Sequence, residues 1–112
     1  MGVRQEVLEK LKSGMKPSEI ARERTVTLGT ILGYLDQLVG QGQLRRSDIL
    51  FSIPTEIRQP ILELLSDDPS QSISSIMNGL RRISLILDED DVLVVHKYHD
   101  ARYALGEIYE DI

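Results

Sequence analysis

A mainly α-helical chain is what the sequence predicts, and three observations predict it. Apolar residues recur at three- and four-residue intervals, as in Val7, Leu8 and Leu11 and again in Ile31, Leu35 and Leu38. The breaks between these runs carry helix punctuation: Gly14 ahead of Pro17, Gly40 and Gly42 around Gln41, and Pro69 after Asp67-Asp68. A small side chain, Ala21, stands where two of the predicted helices must cross. The expected organisation is a three-helix unit over residues 1–50 and a second small helical unit over residues 51–112, packed as one compact domain.

The first helix is placed at about residues 3–13, with Val3, Val7, Leu8 and Leu11 on one stripe and a left-handed stop at Ser13-Gly14. The second starts at Pro17, whose missing N–H is harmless in a first turn. Glu19 then complements the N-terminal dipole, and the helix runs to about Arg24. A third helix occupies about residues 28–40, capped by the Thr27 hydroxyl and stopped at Gly40-Gln41-Gly42. Ile20, Leu28, Ile31, Leu35 and Leu38 form its apolar contact, and Gly29, Thr30, Gly33, Tyr34 and Gln37 lie on the remaining face, with Tyr34 expected to be partly buried.

Helices two and three, joined through Thr25-Val26-Thr27, form the skeleton of a helix-turn-helix. Ala21 lets the two rods approach, and Val26 is expected to plug the wedge between them. Thr25 stands where such turns often use glycine. A β-branched residue in a left-handed conformation costs on the order of 1 kcal/mol or more, which predicts a slightly re-formed turn.

Leu44, Ile49, Leu50, Phe51 and Ile53 read as a connector with a short extended piece, ended by Pro54. Ile57, Ile61, Leu62, Leu64 and Leu65 are helical in spacing, with Pro60 either kinking the element or marking its first turn. Ser72 to Leu80 is a short helix with a serine start. Residues 83–95, where Ile83, Leu85 and Leu87 alternate, fit two alternatives, a short β-hairpin, or wing, and a continuation of the preceding helix to Leu87 followed by a new helix from about Asp90; helix is preferred, in part for the family resemblance given below. A last helix is placed from Tyr98 to about Glu110 with Ala101, Ala104, Leu105 and Ile108 inward.

The 112 residues carry no cysteine, which excludes disulfides, thiolate metal sites and a cysteine nucleophile and suits a reducing compartment. No apolar run approaches a bilayer span, and the N-terminus reads as amphipathic helix instead of a signal peptide, so a soluble, cytoplasmic protein is expected, on the nucleoid if it meets DNA. Net charge is −5, distributed as +2 over residues 1–50 and −7 over residues 51–112. The first half is therefore the side suited to phosphates and the second to solvent or a protein partner.

Ser18-Glu19-Ile20-Ala21, Arg24-Thr25-Val26-Thr27, Thr30-Ile31-Leu32-Gly33-Tyr34-Leu35 and Gly42-Gln43-Leu44 resemble the helix-turn-helix module at the carboxyl end of RecQ-type DNA helicases, with a weaker match at Tyr98 to Leu105. The resemblance implies a mostly helical accessory domain of DNA transactions. It does not imply helicase chemistry, since the phosphate-binding loop of a motor is absent.

Taken together, the residues point to weak duplex DNA binding through helix 28–40. Thr27, Gly29, Thr30 and Gln37 lie nearest the groove, with Gly33 and Tyr34 on the same side. Arg22, Arg24, Arg45 and Arg46 are the phosphate contacts, and Lys16 stands on the same flank. A homodimer, or a tether to a helicase or another DNA-processing protein, would add affinity. The rival reading is a protein-interaction module that presents the acidic second half. A third, metal-dependent catalysis at His96 and His99 beside Asp100, needs a further ligand that Glu107 is badly placed to supply, and Asp88-Glu89-Asp90-Asp91 lacks the glycine and distal glutamate of a calcium loop. No nucleophile setting is recognisable, so no enzyme, cofactor or metal is expected.

Overall fold

The computed structural model describes residues 2–102. Among these residues seven α-helices follow one another: α1 (Val3–Lys12), α2 (Pro17–Arg24), α3 (Leu28–Gly40), α4 (Arg46–Leu50), α5 (Thr55–Asp67), α6 (Ile73–Arg82) and α7 (Glu89–Tyr98), followed by a 3-10 turn at His99–Ala101. No strand occurs among the described residues. In the first unit α1, α2 and α3 each pack on the other two, and in the second α5, α6 and α7 do the same. One continuous core runs through both, from Val7, Ile20, Ile31 and Leu35 to Ile61, Ile76, Val95 and Tyr98.

Helix ends follow from local chemistry. Thr27 accepts from the Thr30 N–H (3.2 Å), and Ser72 accepts from the Ser75 N–H (3.1 Å). Glu19 and Asp48 reach back to the N–H groups of Lys16 and Arg45 that open α2 and α4, each at 2.9 Å. The C-termini of α1, α2, α3 and α6 share one device, a paired Schellman bond closing on a left-handed residue. At the end of α2 the Val26 N–H bonds the Ala21 carbonyl and the Thr25 N–H bonds that of Arg22. At the end of α6 Leu85 bonds Leu80 and Ser84 bonds Arg81. Gly14 and Gly42 carry the positive φ after α1 and α3, but after α2 and α6 it falls on Thr25 (φ 57°) and Ser84 (φ 58°).

Several sequence expectations are thereby corrected. The turn at Thr25 is not re-formed: the residue accepts the left-handed conformation, and two backbone bonds offset its cost. Val26 does not plug the wedge, because the Schellman turn aims it outward and leaves it 40% exposed. The connector at residues 44–54 contains a helix, α4, whose Ile49 and Leu50 are buried against α7. Pro60 lies inside α5, past its first turn.

Over residues 83–95 no hairpin forms, and α6 stops at Arg82 instead of reaching Leu87, because the left-handed Ser84 closes the helix. Residues 92–95 are helical, since α7 is covered by α2, α4, α5 and α6 and needs apolar side chains nearly all round. The helix placed from Tyr98 to Glu110 instead changes to a 3-10 turn at His99; the remainder of that expectation, with Ala104, Leu105 and Ile108, lies outside the described residues.

Two carboxylates fasten the halves together. Asp91 of α7 is 1% exposed, accepting from Ser18 Oγ (2.8 Å) and Lys16 Nζ (2.8 Å) at the start of α2. Asp36 of α3 accepts from the buried Tyr98 hydroxyl (2.6 Å) and Lys97 Nζ (2.7 Å) of α7. Within the second unit Gly79 lets α6 approach α5, since a Cβ there would stand 3.1 Å from Leu64 Cδ1.

Candidate nucleic-acid interface

Helix α3 is long enough to show two faces. Ile31, Leu32, Leu35 and Leu38 are buried against α1 and α2, with Tyr34 and Leu28 half-buried beside them. Ala21 is buried on α2, where the two helices pack. Gly29, Thr30, Gly33, Gln37 and Gly40 are exposed. At about 100° per residue, Gly29, Gly33 and Gly40 fall within roughly 40° of one another, and Thr30 and Gln37 form the neighbouring strip. Nothing among the described residues explains those glycines by packing: a Cβ at Gly33 or Gly40 would meet no atom of them within 4 Å, and one at Gly29 only Thr27 Oγ1 at 3.8 Å.

The strip is uncharged. The one acidic or basic side chain of α3 is Asp36, and it is engaged by α7. Burial pushes its carboxyl up, but hydrogen bonds from Lys97 and Tyr98 and the charges of Lys97 and Arg46 outweigh that and hold it below the ordinary carboxylate range. Conversely, burial together with the Asp36 hydrogen bond pushes the Tyr98 hydroxyl well above its usual value. What the strip offers is the Gln37 amide, the Thr30 hydroxyl and bare backbone. Thr27 serves chiefly as the cap, its Oγ1 also lying 2.9 Å from Thr30 Oγ1.

The four arginines expected as phosphate contacts divide into two pairs. Arg22 and Arg45 are largely exposed and loosely held, by Asp88 at 3.4 Å and Asp48 at 3.3 Å. Such surface pairs are worth about 0–1 kcal/mol, so a phosphate can displace them cheaply. Arg24 is more enclosed and bonds Glu6 at 2.7 Å. Arg46 bonds both Asp100 (2.9 Å) and the Lys97 carbonyl (3.0 Å) and lies over the Tyr98 ring at 4.8 Å, which makes it part of the frame. Lys16 is committed to the buried Asp91.

Two flanking cations escaped the sequence reading. Arg4 of α1 reaches Gln37 Oε1 (3.2 Å), and Lys97 of α7 meets Asp36 on the opposite side of the glycine strip. Arg4 was findable in principle, because α1 shows its apolar stripe to α3 and Arg4 borders that stripe; Lys97 has no local signal. At the other candidate site His96 Nε2 bonds the Gln71 carbonyl (3.0 Å) and His99 Nδ1 bonds the His96 carbonyl (2.7 Å). Among the described residues no group of three metal-ligating side chains comes together.

A family model described as a helix-turn-helix domain matches residues 3–88, which takes in both units up to the cap of α7. The chain belongs to this helix-turn-helix family. No curated protein and no solved structure matches it. No helix among the described residues is long and apolar enough to cross a membrane.

Proposed function

We propose that this helix-turn-helix protein is a DNA-binding accessory or regulatory domain that meets duplex DNA weakly through the outer strip of α3, without a catalytic step of its own. The observation that carries the reading is the exposed, uncharged strip of Gly29, Gly33 and Gly40 beside Thr30 and Gln37, with Arg4 on one edge and the loosely held Arg22 and Arg45 within the same unit. Backbone without side chains allows close approach to a sugar-phosphate chain, while a hydroxyl and an amide can read base edges. Few cations and no arginine on the strip itself make one copy a weak and permissive binder. Affinity would come from a second copy or from attachment to a DNA-processing enzyme, of which the RecQ-type helicases are the kind suggested by Ser18 to Ala21 and Thr30 to Leu35. The setting is the cytoplasm, on the nucleoid.

The test is a polarisation titration with duplex, single-stranded DNA and RNA at about 50 and about 200 mM salt. Three phosphate contacts predict that duplex affinity falls roughly forty-fold across that range. Changing Arg4, Arg22 and Arg45 together to Ala should remove most of both the affinity and the salt response. Duplex binding that the triple change leaves intact would exclude α3 as the contact. The extensive internal pairing of the basic residues favours a second reading, a protein-interaction module of a DNA-processing assembly, for which no duplex binding would appear at either salt.

A further inference from the structure

A cleft of about 660 Å³ opens between the C-terminal end of α1 and the α4 turn, and none of the exposed residues of the α3 strip lines it. Its floor is apolar: Leu11 and Leu44 are buried beneath it, and Pro54 and the half-open ring of Phe51, the only phenylalanine in the chain, stand at its side. Its rim carries two cations, Lys12 and Arg45, against one acid, Asp48. Lys12 has no carboxylate within ion-pair distance among the described residues, and Arg45 has only the exposed, 3.3 Å contact with Asp48. Arg58 lies over the Phe51 ring at 4.3 Å and spends its donors on the Ile53 carbonyl and the Thr55 hydroxyl, so its positive charge is also uncompensated by a bonded acid. A second depression of about 510 Å³ adjoins it at Leu44 and Arg45 and runs past Val39 to Ala101.

We propose that this groove docks an acidic peptide segment of a partner protein, with an apolar side chain seated against Phe51, Leu11 and Leu44 and carboxylates meeting Lys12 and Arg45. Charge complementarity and the apolar floor select this occupant. A nucleic acid fits less well, because Arg58 already covers the Phe51 face that a base would need for stacking. The groove shares Arg45 with the DNA reading but none of the glycine strip of α3, and Lys12 and Phe51 belong to the groove alone.

The probe is a fluorescein-labelled peptide of about ten residues alternating Asp and Leu, compared with its Asn-for-Asp counterpart and with labelled oligo-dT of similar length, each titrated into the full chain. The acidic peptide should saturate one site on a monomer in sedimentation, and the Asn peptide should bind at least about tenfold more weakly. Lys12→Glu and Phe51→Ala should each weaken the acidic peptide about tenfold while leaving duplex affinity and the melting curve close to the parent chain. Equal binding of the two peptides, or variants without effect, overturns the proposal. Oligo-dT binding that disappears in Lys12→Glu would make the groove a nucleic-acid site instead, and self-association abolished by either change would make the occupant a second copy.

Discussion

Replacing Gly33 by Ala separates what α3 costs the fold from what it does. Glycine in a helix interior is less favourable than alanine by about 0.8–1.0 kcal/mol. Gly33 lies mid-helix, and an added Cβ would meet nothing within 4 Å, so no clash offsets the gain. Gly33→Ala should therefore stabilise the chain by about 1 kcal/mol; Gly29, at the second helical position, should give less. At about 2.1 cal/mol/K of unfolding entropy per residue, a 112-residue chain carries about 0.24 kcal/mol/K, so the melting temperature should rise by about 4 °C. Circular dichroism melts read this directly. The same variant, titrated with duplex, should bind about tenfold more weakly if backbone and DNA come into contact there, because the methyl group holds them apart. A stabilised variant that binds DNA as well as the parent would refute the close-approach argument, and a destabilised one would refute the claim that nothing packs on the strip.

Two further perturbations test the frame behind α3. Asp91→Ala removes the partner of a Lys16 ammonium that is itself mostly covered, and should cost roughly 3 kcal/mol in urea unfolding, the low end for breaking a buried pair because Lys16 retains some exposure; a loss below about 1 kcal/mol would show the contact to be dispensable. For Asp36 the sign follows from its depressed pKa: the folded chain binds that proton less tightly than the unfolded chain, so the stabilisation is present above the ordinary carboxylate pKa and is lost as pH falls through the lower folded value. The stability difference between the parent and Asp36→Asn should thus hold at neutral pH and shrink below about pH 4, as followed by melts across the acid range.

Much of the first unit was legible because its signals are local. The bounds of α3, the Thr27 cap, the glycine stop and the half-burial of Tyr34 all follow from the neighbouring residues alone. The second unit was harder to read because its signals conflict. Ile83, Leu85 and Leu87 alternate as a strand would, and the structure shows an extended loop in which Leu85 and Leu87 pack inward while Ile86 is 95% exposed. The alternation holds for Leu85 and Leu87 but not for Ile83, which is 60% exposed, and among the described residues no strand exists to pair with it. Val92 to Val95 carried β propensity that burial on several sides overrode. Helix α4 was missed because five residues opened by Arg45 show no full helical period. The fate of the arginines was not legible at all, since the partners of Arg22, Arg24 and Arg46 lie 66, 18 and 54 residues away in the chain.

Those long-range pairs change the meaning of the charge asymmetry. A first half at +2 and a second at −7 suggested one face for phosphate and another for a partner. In the folded chain Lys16, Arg22 and Arg46 of the first half meet Asp91, Asp88 and Asp100 of the second, and Lys97 of the second meets Asp36 of the first. Part of the imbalance is therefore complementarity between the halves. The pairing runs both ways, and sliding α7 along α2 and α3 would strand Asp91 in a buried site and strip Asp36 of both donors. Because that displacement is expensive, the second unit fixes the pose in which α3 shows its glycine strip outward, and it does so with cations that composition alone would have assigned to DNA. On the first unit the positive charge left for a ligand is small and divided, with Arg4 beside the strip, Lys12 beside the groove at the other end of α1, and Arg22 and Arg45 loosely held. Two modest sites on opposite ends of one helix follow from that division more naturally than a single strong grip on phosphate.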